Sequence, residues 1–123
     1  MTKQVLLIED EPNIIEAISF ILSRDGWQVR SHTGGEGAMD AVRTRRADLI
    51  ILDVMLPHRS GFEILSDIRA DPELGETPVL MLTARGQRKD REMAERAGAS
   101  RFMTKPFSNS EMLEAVRALV GEA

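Results

Sequence analysis

The chain contains no cysteine, which excludes both a disulfide framework and a thiolate metal site. It also lacks a long apolar run. The longest is four residues, far short of the roughly 20 needed to cross a bilayer. Met1-Thr2-Lys3-Gln4 leads into only four apolar residues before Glu9, too few for the core of a signal peptide. A soluble cytoplasmic protein without membrane contact is expected. Positive charge is not in excess, with a formal net charge of -4 over 123 residues. That argues against direct nucleic-acid binding, which needs a basic surface. No linker, low-complexity tract or internal repeat is present. At 42% hydrophobic residues the composition is globular rather than disordered. The length suits one domain over residues 1–123, able to close a core without staples.

The apolar runs are short, and each ends on a reactive group. Val5-Leu6-Leu7-Ile8 ends on Glu9-Asp10, Leu49-Ile50-Ile51-Leu52 on Asp53, and Val79-Leu80-Met81-Leu82 on Thr83. A fourth run, Arg101-Phe102-Met103-Thr104, ends on Lys105-Pro106. Such runs, separated by polar helical stretches, read as buried parallel strands. In an open parallel sheet the carboxyl ends share one edge, where ligands bind. Glu9, Asp10, Asp53, Thr83 and Lys105 are therefore predicted to meet there.

Helical signals fill the intervals. Pro12 opens a helix whose stripe is Ile14, Ile15, Ile18, Ile21 and Leu22, and Gly26 caps it. Trp27-Gln28-Val29-Arg30-Ser31 alternates like a half-exposed edge strand. Ala38, Met39, Ala41 and Val42 give a weaker second helix, opened by Gly34-Gly35. Ser60-Gly61-Phe62-Glu63 is a capping-box pattern. It opens a third helix that buries Phe62, Leu65 and Ile68 and is broken by Asp71-Pro72. Pro78 opens the fourth strand. A charged helix with Met93, Ala94 and Ala97 as its apolar positions runs from about Gln87 to Ala97 and stops at Gly98. Ser108-Asn109-Ser110-Glu111 opens the last helix, which carries Met112, Leu113, Val116, Leu119 and Val120. The pattern is a βα unit repeated five times, with right-handed crossovers.

Three carboxylates at one edge repel by about 4 kcal/mol for each close pair at an effective dielectric near 20. Lys105 supplies one compensating charge. Hard carboxylate oxygens suit Mg²⁺, which takes one or two carboxylates together with water and phosphate oxygens. An aspartate beside such an ion can act as a nucleophile and form an acyl phosphate. Thr83 and Lys105 can then hold phosphoryl oxygens, one by a neutral and one by a charge-assisted hydrogen bond.

Glu9-Asp10 after the first strand, Asp53 after the third, Thr83-Ala84 after the fourth and Lys105-Pro106-Phe107 after the fifth resemble the receiver domain of two-component response regulators. The resemblance covers the chain from about Lys3 to Val120, as a single receiver domain over 1–123. It implies a three-layer, doubly wound, flavodoxin-like (βα)5 α/β fold with strand order 2-1-3-4-5. It further implies that Asp53 is the phosphoacceptor, served by a sensor histidine kinase or phosphotransfer protein, and that there is no turnover of an external substrate. By the same resemblance Asp10 ligates Mg²⁺ directly, Glu9 acts through water and Met55 offers its backbone carbonyl. Thr83 and Lys105 grip the phosphoryl group, and the Lys105-Pro106 bond is cis. Phe102 takes the place of a rotamer-switching aromatic, often Tyr. The face of the fourth helix, fifth strand and fifth helix is then remodelled for an output partner. A homodimer stays open, because Gly98-Ala99-Ser100-Arg101-Phe102 lacks the acidic pair of winged-helix-linked receivers. Met55 and Arg85 occupy positions that tune water access to the acyl phosphate.

Simpler readings exist for each residue taken singly. Asp53 alone is a turn residue, Thr83 alone a helix cap, and Glu9-Asp10 a loop favouring a helix N-terminus. His32 and His58 read as surface histidines, and Trp27 and the methionines as packing. Arg85, Arg88, Lys89 and Arg91, with Asp90 as their only acid, favour a solvated helix face over a docking face for an acidic partner. Among rivals, a Mg²⁺-dependent phosphatase of the haloacid-dehalogenase kind needs a second acid two residues after the nucleophile, and Asp53-Val54-Met55 lacks it. A flavin-binding domain needs hydroxyls and glycines where Glu9-Asp10-Glu11-Pro12 stands. A pseudo-receiver working only as an interaction module is the remaining alternative.

Overall fold

The apolar runs form the middle of a five-stranded sheet because their side chains are sequestered from both directions. A computed structural model describes residues 3–84 and 88–121. Its strands are β1 (Gln4–Ile8), β2 (Gln28–His32), β3 (Leu49–Asp53), β4 (Val79–Thr83) and β5 (Arg101–Thr104). They alternate with helices α1 (Pro12–Arg24), α2 (Ala38–Arg45), α3 (Gly61–Ala70), α4 (Arg88–Ala97) and α5 (Asn109–Leu119). All pairings are parallel, in the order β2-β1-β3-β4-β5.

Alternation along each strand divides the core in two. Leu6, Ile8, Ile50, Leu52, Val79 and Met81 face the side of α2, α3 and α4. Val5, Leu7, Leu49, Ile51, Leu80, Leu82 and Met103 face that of α1 and α5. Burial on both faces is why β1, β3 and β4 read as continuous apolar runs, while the edge strand β2 is mostly exposed.

Local signals set most boundaries. Both predicted capping boxes form, with Ser60 on Glu63 and Ser108 on Glu111. Gly26 and Gly98 follow α1 and α4 at φ +91° and +98°, a region glycine enters without steric cost. Other expectations need correction. Trp27 precedes β2, and its N–H donates to the Leu22 carbonyl at 3.0 Å. It is buried. The N-cap of α2 is Gly37 at φ +76° rather than Gly34-Gly35. In α3, Ile64 joins Leu65 and Ile68 in the core while Phe62 is half-buried. The helical period puts Ile64 nearer the centre of the stripe. On α4 only Ala94 is buried, and Met93 lies at the surface. The expected start of α4 at Gln87 and the part assigned to Arg85 lie outside the described residues.

One arginine ties the α3 end of the molecule together. Arg69 donates to the carbonyls of Thr77, Gly98 and Gly75 at 2.6, 2.8 and 3.1 Å, and to Ser100 Oγ at 3.2 Å. Burial pulls its pKa down, and among the described residues no carboxylate pairs with it. Arg69→Met keeps the stem and leaves these partly buried acceptors without donors. The expected loss is about 1–3 kcal/mol, read as a lower urea midpoint with an unchanged slope. An unchanged midpoint would show that water serves those carbonyls equally well.

Candidate active site

Strand alternation decides which residues can meet at the carboxyl edge. Glu9 continues the face of Val5 and Leu7, Asp53 that of Leu49 and Ile51, and Lys105 that of Met103. All three therefore turn toward the α1 and α5 side. Thr83 continues the other face, the one on which Val79, Met81 and Phe102 pack. The ladder holds these strand ends in place. Glu9 N donates to His32 O at 3.1 Å, Val54 N to Leu82 O at 2.9 Å, and Lys105 N to Thr83 O at 2.7 Å.

Four of the five residues predicted to meet, Glu9, Asp10, Asp53 and Lys105, come together, while Thr83 ends the adjacent strand on the other face. Carboxylate oxygens of Glu9, Asp10 and Asp53 all lie within 4.8 Å of one another. Lys105 Nζ sits 3.0 Å from Glu9 Oε2 and 3.4 Å from Asp53 Oδ2. Glu9, Asp53 and Thr83 are buried and Asp10 is half-buried. The Met55 N–H reaches Asp53 Oδ1 at 3.3 Å, and the Glu11 N–H reaches Glu9 Oε1 at 3.3 Å. The Lys105-Pro106 bond is cis.

The electrostatics are those of a site short of positive charge. Burial, then the charge of Glu9, pushes the Asp53 carboxyl from 3.8 up to about 7, against the opposing pull of Lys105 and the Met55 N–H. Burial also works against the Lys105 ammonium, but the carboxylates of Glu9, Asp53 and Glu11 outweigh it and raise its pKa. Despite the 3.0 Å ion pair, Glu9 Oε2 accepts no properly directed hydrogen bond. A buried carboxylate oxygen left so, beside two more carboxylates, is a donor set that fits a small hard divalent cation.

Beside Asp53 opens a cleft of 490 Å³ walled by Asp10, Val54–Ser60 and Glu63. Thr83 and Lys105 are not part of its wall. Met55 stands at its mouth with 62% of its surface exposed, so it and Met93 depart from the expectation that the methionines pack. The loop along the cleft is braced by Arg59, which reaches Asp67 at 2.7 Å and Glu63 at 3.7 Å. The two histidines are unequal. His58 is exposed, while His32 is half-buried with Nε2 2.7 Å from the Glu36 carbonyl.

A family model for the response regulator receiver domain matches residues 5–117. The chain belongs to this family. It is therefore a phosphoacceptor domain of two-component signalling. The chain is 40% identical over 117 residues to the "Probable transcriptional regulatory protein TcrX" of Mycobacterium tuberculosis, covering 94% of this chain and 49% of that protein. It thus spans about half the length of the curated relatives it matches. The chemotaxis response regulator CheY4 of Vibrio cholerae superposes with a TM-score of 0.91 at 28% identity, covering 97% of this chain and 99% of that one. The receiver domain of the sensor histidine kinase PA1611 of Pseudomonas aeruginosa, solved with magnesium in its active-site cleft, gives 0.90 at 29% identity. That alignment covers 99% of this receiver and 100% of the other. Features that escaped the sequence reading include the Arg59 brace, the tight approach of Gly61 to Asp53, and the placement of Arg91 over Phe102. Only Gly61 carries a signal, a poor helix former at the first position of a capped helix.

Proposed function

We propose that Asp53 accepts a phosphoryl group from the phosphohistidine of a sensor histidine kinase or phosphotransfer protein in the cytoplasm. An Asp53 oxygen attacks phosphorus, the P–N bond breaks, and the imidazole leaves with its electron pair to take up a proton. The supporting observation is that Lys105 lies between two buried carboxylates of which one, Asp53, is held at a raised pKa. One ammonium does not balance the cluster, so a second cation completes it. Asp10, Asp53, the Met55 carbonyl and, through water, Glu9 would hold Mg²⁺, which when bound supplies charge neutralisation to the phosphoryl oxygens. Lys105 and Thr83 bind those oxygens directly. Residues 1–123 act as one domain without turnover of an external substrate.

Signal output follows from the same grip. A charged hydrogen bond from Lys105 nets about 1.5–3 kcal/mol and a neutral one from Thr83 about 0.5–1.5 kcal/mol. Together they approach the roughly 5.5 kcal/mol that converts a 1:99 equilibrium into 99:1. Thr83 shares a sheet face with Phe102, whose strand partner is Met81, two residues before it. A shift of Thr83 is thereby felt by the ring, and the face of α4, β5 and α5 changes for an output partner.

Incubation of the wild type with acetyl phosphate and Mg²⁺, followed by intact mass and peptide mapping, tests the assignment. One hydroxylamine-labile phosphoryl group on Asp53, absent in EDTA, is expected. An adduct on another residue, or one formed equally in EDTA, contradicts it.

A further inference from the structure

Arg91 lies on the exposed side of α4, and its guanidinium carbon is 5.7 Å from the centroid of the Phe102 ring. Arg88, one turn earlier, pairs with Glu92 at 3.2 Å. Arg91 has Glu95 at the equivalent spacing, yet among the described residues it forms no salt bridge, and its guanidinium lies over the ring instead. Between α4 and β5 the same two side chains line a cleft of 180 Å³ whose wall also includes Ala94, Glu95, Ala99 and Arg101. The ring is half-buried, with the α2–α4 core beneath it and open volume beside it. Phe102 has no hydroxyl to anchor it, so the guanidinium contact is available to hold its outer side.

We propose that Arg91 is a positioning residue for the Phe102 switch. Its cation–π contact keeps the ring in the seat seen here, and the ring leaves that contact when the phosphoryl group is bound. The inference rests on the reading of Asp53, Thr83 and Phe102 given above and assigns its control to α4. At an exposed site such a contact corresponds to roughly a 2- to 5-fold change in the ratio of two conformers. Linkage is reciprocal, so the factor that frees the ring also tightens binding of a phosphoryl mimic.

The test uses wild type, Arg91→Met and Arg91→Lys labelled with 4-fluorophenylalanine at the four phenylalanines. The Phe102 resonance is assigned by its loss in Phe102→Leu. Fluoroberyllate (BeF3⁻) with Mg²⁺ serves as the phosphoryl mimic. In Arg91→Met without BeF3⁻, the Phe102 signal is expected to move along the line joining the free and BeF3⁻-bound positions of the wild type. The apparent affinity for BeF3⁻ should rise roughly 2- to 5-fold. Arg91→Lys, which keeps the cation, should stay near wild type; a purely structural role would give neither the collinear shift nor the rescue. A wild type that responds to BeF3⁻ while Arg91→Met leaves the free Phe102 signal in place overturns this inference alone. Lysine behaving like methionine does the same. A wild type that takes up neither BeF3⁻ nor phosphate overturns the Asp53 assignment and this inference with it.

Discussion

Replacing Asp53 with asparagine should stabilise the metal-free domain by about 1–3 kcal/mol at pH 8 while abolishing acyl phosphate formation. The sign follows from the raised pKa. Unfolded, the carboxyl titrates at its ordinary 3.8; folded, burial and Glu9 hold it at about 7. The native state therefore binds the proton more tightly than the unfolded chain. Stability is fullest below the unfolded pKa and falls as pH rises through the window between the two values. A shift of about 3 units sets a ceiling near 4 kcal/mol at 1.36 kcal/mol per unit. Asparagine returns part of this, because Lys105 then faces Glu9 alone. Urea titrations in EDTA should show wild type and Asp53→Asn close together at pH 4.5 and separated at pH 8. Added Mg²⁺ closes most or all of the gap, since a ligand at 100 times its dissociation constant stabilises the native wild type by about 2.7 kcal/mol. A gap between the two proteins that ignores both pH and Mg²⁺ would mean that Asp53 is not the strained carboxylate.

The carboxyl edge was legible in the sequence because two independent patterns converge on it. Apolar runs buried on both faces mark parallel strands, and the residue after each run is placed by the backbone rather than by packing. That is why Glu9, Asp53 and Lys105 are legible as one cluster in the sequence, and why the capping boxes at Ser60 and Ser108 mark two helix starts. Strand parity carries a further consequence: it puts Lys105 on the face of Glu9 and Asp53, and Thr83 with Phe102 on the other. What stayed hidden depends on contacts between segments distant in sequence. Arg69 looks like any arginine on an amphipathic helix until its acceptors arrive from the loops after α3 and α4. Gly35 resembles a helix opener, yet a Cβ there would fall 2.6 Å from that of Arg59, so it serves the packing of one loop on another. On α4 the miss is smaller: Met93 reads as part of the apolar stripe but lies at the surface. Its stripe is narrow, with Ala94 buried and Ala97 half-buried, so a residue at the border of that stripe is left outside the core.

Gly61→Ala should cost about 3 kcal/mol or more and lower the rate of phosphoryl uptake at least 10-fold. Local propensity predicts the opposite sign, since alanine is favoured over glycine inside a helix by about 0.5–1 kcal/mol. Packing overrides it. A Cβ on Gly61 would lie 2.2 Å from the Asp53 carbonyl oxygen, 2.9 Å from Val54 Cα and 3.0 Å from the Asp53 carbonyl carbon. All three are backbone atoms of Asp53 and the residue after it, and they cannot rotate aside as a flexible side chain would. Relief requires α3 to back away from β3. That breaks the 2.9 Å bond from Gly61 N–H to the Val54 carbonyl and lifts the fully buried Ile64 and Leu65 from their seats. Overpacking of a core alone costs about 1–3 kcal/mol, and the lost hydrogen bond and core contacts add to it. The chemical penalty follows from geometry, because a misplacement of about 1 Å at a reacting group can cost as much as 10²-fold. Gly75→Ala is the matched control, its nearest approach being a milder 3.0 Å to the Asp71 carbonyl. Urea midpoints and acetyl phosphate time courses on both variants decide the matter. If Gly61→Ala matches Gly75→Ala in both, the α3 N-terminus is not pressed against the Asp53 backbone and does not set the position of that carboxylate.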